Sequence, residues 1–152
     1  VAGLHDTVAG LRDAIVAALA ANGRPPFGRV FISDGADVAY DCEQLVVAVE
    51  GIRTGLPGVP DTVQLDGRVT WTAVVAVHAV RCAPTIDDQG NVPSAAEITA
   101  SAESSQGDAD ALMAGAYAYA QACKRAAVAT LQFPGPLGGY AVALLRLEVL
   151  LA

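Results

Sequence analysis

The sequence predicts an α+β fold in the order α-β-β-β-α-β. The expected architecture is a small mixed or antiparallel sheet with a long hairpin, covered by an N-terminal helix and a long alanine-rich helix. Three observations predict it. The opening segment repeats an apolar residue at helical spacing and then stops at a cluster of breakers. Two valine-rich runs flank one Gly/Pro loop. A later segment of thirty-odd residues starts with a capping pattern and carries a stripe made mostly of alanine.

In "VAGLHDTVAGLRDAIVAALAANGRPP", Leu4, Val8, Leu11, Ile15 and Leu19 recur one helical turn apart and form one apolar stripe. Asp6, Arg12 and Asp13 lie on the polar side. Asn22-Gly23 followed by Pro25-Pro26 ends the helix, because glycine accepts the left-handed cap and proline cannot continue the hydrogen-bond ladder. "GRVFIS", residues 28–33, is a short strand, and "DGADVA" after it is a turn.

"YDCEQLVVAVEGIR", residues 40–53, reads as a longer strand with Cys42, Gln44, Val46 and Ala48 on one face and Leu45, Val47 and Val49 on the other. Both faces become apolar, which suits a central position in the sheet. "TGLPGVPDT" puts two glycines and two prolines into nine residues and cannot extend a ladder. "GRVTWTAVVAVHAVRC", residues 67–82, is the third strand, so the two strands are expected to pair as an antiparallel hairpin with a stiff tip.

"APTIDDQGNVP" is an exposed connection. Ser94 and Glu97 then make a capping box after Pro93. Ile98, Ala102, Ala109, Leu112, Ala116, Tyr119 and Cys123 continue a loose helical stripe, with a possible kink at Gly107 and with Lys124 and Arg125 at the C-terminal end. "FPGPLGGY" is a second Gly/Pro loop, and "AVALLRLEVLLA", residues 141–152, is the closing strand. No repeat or linker divides the chain, so residues 1–152 read as one domain.

Hydrophobic residues make up 53% of the 152, charged residues 16% and aromatic residues 5%, so the core must be aliphatic and some apolar surface is expected to meet a partner. Every apolar run is shorter than the roughly 20 residues of a spanning helix, and no membrane association or secretion signal is expected. The net charge of −7 argues against phosphate binding. Eight arginines and one lysine are scattered with no interleaved aromatic stripe, which reads as surface arginines and inter-subunit ion pairs.

Cys42, Cys82 and Cys123 form no C-x-x-C pair. The odd count favours three reduced, mostly buried thiols, with a Cys42–Cys82 bridge between paired strands as the alternative. One catalytic set can be drawn, Cys42 with His78 and Glu43, as in a small cysteine-dependent enzyme. Against it, Asp41 and Glu43 raise a neighbouring thiol's pKa, and "VVAVHAV" puts His78 in an apolar strand, as a packed or interface histidine. His5 and His78 make no metal set, "DDQGN" lacks the spacing of a calcium loop, and no phosphate-binding glycine motif occurs. No catalytic residue, cofactor or metal is expected. What remains is an architecture suited to assembly, because small side chains allow close approach and proline-stiffened loops lose little entropy on docking.

"YDCEQLVVAVEGIRTGLPG", "AVVAVHAVRCAPTIDDQGNVPSAAEITASAESSQGDADAL" and "GPLGGYAVALLRLEVLL" resemble the head-to-tail joining proteins of long-tailed, siphovirus-type phages of actinobacteria, and most of all their tail terminators. The resemblance runs from about Val30 to the end of the chain and lies in texture, not in a catalytic signature. It implies a helix, a small mixed sheet with a long hairpin, a long helix on that sheet and a closing strand. It further implies a structural virion protein, assembled in the host cytoplasm, that forms a usually hexameric ring at the head-proximal end of the tail tube. The ring would end tube growth, contact the tube protein below and a head-side stopper or connector above, and pass DNA non-specifically through an acidic lumen. A stopper or connector adaptor is the alternative neck protein. The expected contact is the hairpin tip, Thr54, Gly55, Leu56, Pro57, Gly58, Val59, Pro60 and Asp61; a plain surface loop is the competing reading.

Overall fold

A computed structural model describes residues 3–59, 69–135 and 138–151. Helix α1 spans Leu4–Ala21 and buries Val8, Leu11, Ile15 and Leu19, the stripe expected from the spacing. It ends as its sequence dictates. Gly23 takes φ +66°, its N–H donates to the Ala20 carbonyl, and the Arg24 N–H donates to the Leu19 carbonyl. This paired closure satisfies two of the carbonyls that a helix end leaves unpartnered.

The strands are β1 (Arg29–Asp34), β2 (Gln44–Thr54), β3 (Trp71–Cys82), β4 (Ala127–Gln132) and β5 (Tyr140–Leu151). They form one mixed sheet in the order β1-β2-β3-β5-β4. β1 runs parallel to β2, and the other pairs are antiparallel. The α+β class and the element order match the sequence reading, including the β2–β3 hairpin. The structure adds β4, a six-residue edge strand after the second helix. Its sequence, "AVATLQ", follows an alanine-rich helix and offers only a short alternation, too brief to stand out from its surroundings.

Two strand boundaries move inward. β2 starts at Gln44, because Cys42 and Glu43 form a turn in which Glu43 takes φ +57°. β3 starts at Trp71, since Val69 and Thr70 carry no strand pairing. The β2–β3 register also slips between Val49 and Gly51, a bulge that breaks the simple alternation there.

Helix α2 spans Ala95–Cys123 without interruption. Its expected capping box forms: the Ser94 side chain accepts from the Glu97 N–H at 3.2 Å, and Glu97 Oε2 accepts from the Ser94 N–H at 2.7 Å. Lys124 provides a left-handed C-cap at φ 52°. The two helices lie on one sheet face, over Leu45, Val47, Ala73, Val75, Val77, Leu145, Leu147 and Val149. Gly115 lets them approach closely, because a Cβ there would lie 2.7 Å from the Ile15 Cα. Ala109, Leu112, Ala116 and Tyr119 are buried as expected, but Ile98, Ala102 and Cys123 are exposed. A helix of 29 residues carries these outer turns beyond the packed middle.

Candidate functional site

The hairpin tip was the expected contact, and the structure describes six of its eight residues. Pro60 and Asp61 lie outside the described residues. β2 leads into the tip through Gly55, at φ +102°, whose N–H donates to the Thr70 carbonyl and whose own carbonyl accepts from Thr72 Oγ1 at 2.7 Å. The loop then turns back over the sheet. Arg53 Nη2 donates to the Leu56 carbonyl at 2.8 Å and to Glu148 Oε2 at 2.7 Å, and the Gly58 N–H donates to the same carboxylate. Gly58 takes φ +73°, a conformation that favours glycine, and a Cβ there would make a tight 3.0 Å contact with the Val128 side chain.

Arg53 and the Gly58 N–H hold the Glu148 carboxyl below its ordinary pKa. Gly55 and Pro57 are buried, while Thr54, Leu56, Gly58 and Val59 are exposed. Around them Ile52, Val69 and Trp71 are also exposed, at 48%, 61% and 44%. A braced loop thus sits at the end of a long hairpin with a set of apolar side chains in water.

The opposite end of the hairpin holds the residues from which a catalytic set could be drawn, and each is committed elsewhere. Cys42 is bonded to Cys82, with Cα atoms 4.9 Å apart. The expectation of three reduced and mostly buried thiols is thereby corrected: one pair is bridged and the remaining Cys123 is exposed. The turn at Cys42–Glu43 brings the backbone beside the end of β3, within bridging distance, which the count of cysteines could not reveal. His78 is 5% exposed; its Nδ1 lies 2.9 Å from the Tyr40 hydroxyl. Burial, and secondarily the Arg146 charge, lower its pKa, so the ring is neutral at pH 7.

Glu43 belongs to a different network. Arg81, expected as one of the scattered surface or inter-subunit arginines, is buried instead, within the chain. Its Nε and Nη2 donate to Asp108 Oδ2 and Oδ1 at 2.9 and 3.1 Å, and its Nη1 donates to Glu43 Oε2 at 2.6 Å. Arg24 Nε donates to Asp108 Oδ1 at 2.9 Å, and Arg24 Nη2 donates to the Ser104 carbonyl. The guanidinium of Arg81 also lies 3.7 Å over the Phe27 ring. Burial works against the charge of Arg81, but Asp108 and Glu43 outweigh it and hold its pKa above the ordinary value.

Asp108 is fully buried, so each of its oxygens needs these donors. Gly107 serves the same network; a Cβ there would come within 2.7 Å of Arg24 Nη1. That packing role replaces the kink expected at this glycine. The network ties α1's exit, α2, β3 and the turn before β2 together. A signal for it was present: Asp108 follows Ser105 and precedes Leu112 on the buried side of the helix, a phase where an acid needs a cation.

A groove of about 490 Å³ lies at the same end of the sheet, between Pro84, Pro93, Ile98, Ala102, Phe133 and Val142. Among the described residues lining it, none is acidic, basic, histidine or cysteine; its polar groups are Ser101, Ser105 and Gln106. Asp87 closes its own turn by accepting from the Gln89 and Asn91 N–H groups, which fits a solvated turn. Among the described residues, no group of three His, Cys, Asp or Glu could hold a metal, and no helix is long and apolar enough to cross a membrane. No protein-family model matches the chain, and no characterised protein matches it.

Proposed function

We propose that this protein is a structural component of a phage neck. In this reading it forms a hexameric ring at the head-proximal end of a tail tube, ends tube growth and joins the tail to the head. The observation that carries the reading is the hairpin end, where Ile52, Leu56, Val59, Val69 and Trp71 are exposed beside a loop braced by Arg53 and Glu148. Apolar side chains beside a braced backbone lose little entropy on docking and need a partner surface to leave water. The likeness to tail terminators, running from about Val30 onward, makes the tube protein or a neighbouring ring that surface. The net charge of −7 suits walls that let DNA pass without retaining its phosphates. A basic lumen in the assembled ring would count against the proposal.

Electron microscopy of tails assembled without this protein tests the reading. Overlong tails are expected. Tails of normal length that fail to join heads would assign it to the head-side stopper instead. Normal particles would remove it from the neck altogether.

A further inference from the structure

β1 and β2 are parallel neighbours, so the chain leaving β1 must return along the sheet before β2 begins. Residues 35–43 make that return without a helix, as a strap on the sheet face opposite α1 and α2. The contacts assign the face. Tyr40 meets His78 and Tyr140, and Cys42 bonds to Cys82. His78 and Cys82 alternate with Val77 and Ala79, which point into the helix-side core. Within the strap, Val38, Tyr40 and Cys42 are half-buried while Ala39 and Asp41 are exposed, so every second residue faces the sheet.

Below it lies an apolar patch. Val46, Val80, Val142 and Leu144 are 0 to 6% exposed around His78. The strap's backbone is tied at its two ends: the Gly35 N–H donates to the Val49 carbonyl, and the Glu43 carbonyl accepts from the Gly28 and Arg29 N–H groups. Between them, the Ala39 carbonyl accepts from Gln44 Nε2, and Asp41 makes a 3.5 Å ion pair with Arg29 between two mostly exposed side chains. Glu43, held by Arg81, fixes only the end of the strap.

We propose that the Cys42–Cys82 disulfide is a thiol-reducible latch that fastens the 35–43 strap over the outer sheet face. Two features separate a latch from a staple of the whole fold. The β2–β3 ladder already closes at Gln44 opposite Val80, and the main core lies on the other face, so neither depends on the bond. Cys82 is exposed, which leaves the bond open to attack, and exposed disulfides are the labile ones. A dithiol reductant gives two electrons and two protons to the bond. Cys42 and Cys82 become thiols, and the reductant closes its own disulfide. Tyr40 then leaves His78, and the patch beneath is uncovered.

The test uses a Cys123→Ser background, so that alkylation counts only the pair. In an oxidised glutathione buffer no thiol should be alkylated; after dithiol reduction two should be. Chymotrypsin should then cut after Tyr40 about ten-fold faster or more, beyond any rise after Tyr119, whose cleavage reports opening of the helix-side core. Cys42→Ser in oxidising buffer should behave as the reduced protein. The proposal is overturned if cleavage after Tyr40 does not respond to reduction. It is equally overturned if Tyr40 and Tyr119 sites open together, if Cys42→Ser does not fold, or if no bridge forms under oxidation.

Discussion

Arg81 and Arg53 sit near opposite ends of the same hairpin, and each holds a carboxylate on another element. Arg81 is 7% exposed as a side chain, faces the fully buried Asp108, and shares that acid with Arg24. Arg53 and Glu148 are 22% and 31% exposed, with a turn N–H completing the set. At the first end water is excluded from Asp108 and nearly so from Arg81, so that pair is obligatory, while Arg24 and Glu43 close the network at its rim, 20% and 46% exposed. At the second end water screens the pair, and apolar side chains remain uncovered. Burial therefore separates an obligatory buried ion pair from a screened one.

The largest test of this contrast is Asp108→Ala. It leaves the buried Arg81 and the partly exposed Arg24 without their shared acid, and unfolding by denaturant should show a loss of about 3–5 kcal/mol. A loss below about 1 kcal/mol would mean that the buried end is no anchor.

Glu148→Gln should cost less, about 1 kcal/mol, because the pair is partly hydrated. Its effect on the loop has a pH signature. Glu148 has a folded pKa below its ordinary 4.5, so the folded state favours the carboxylate more than the unfolded chain does. The contribution is complete above the unfolded pKa and is lost as pH falls through the folded one. The wild type should thus lose the brace in acid below about 4.5 while the variant shows a flatter profile there, checked by urea unfolding across that range.

The smallest effect on stability is expected from Ile52→Thr, within about 0.5 kcal/mol, since the side chain already stands in water. The same substitution should weaken assembly, measured by light scattering or by reconstitution with tube. Undiminished assembly would move the contact away from the hairpin end.

Much of this fold was legible because local rules and tertiary packing agree. Leu4 through Leu19 repeat at helical spacing and form one stripe, buried from Val8 to Leu19 with Leu4 half-buried at its start. Ser94 and Glu97 satisfy each other within one turn. Leu45, Val47 and Val49 alternate onto the helix side as the strand period requires. The site was less legible. Thr54–Val59 could be marked as a stiff loop, but its fold back onto Glu148 and Val128 depends on strands far along the chain. Ile98 and Cys123 carry the helical period yet remain exposed, because periodicity does not say how far a helix extends past its partner.

The sequence by itself determined the elements: where glycine and proline stop them, which faces are apolar, and that no metal or phosphate motif is written in the chain. Only the tertiary structure decided the pairings. It brought Cys42 to Cys82, Arg81 and Arg24 to Asp108, and Glu148 to the hairpin loop. Each of these joins groups separated by at least 27 residues. Spacing along a chain constrains neighbours a few residues apart, whereas a pair at such separation is chosen by the register of the sheet and the place where two helices cross.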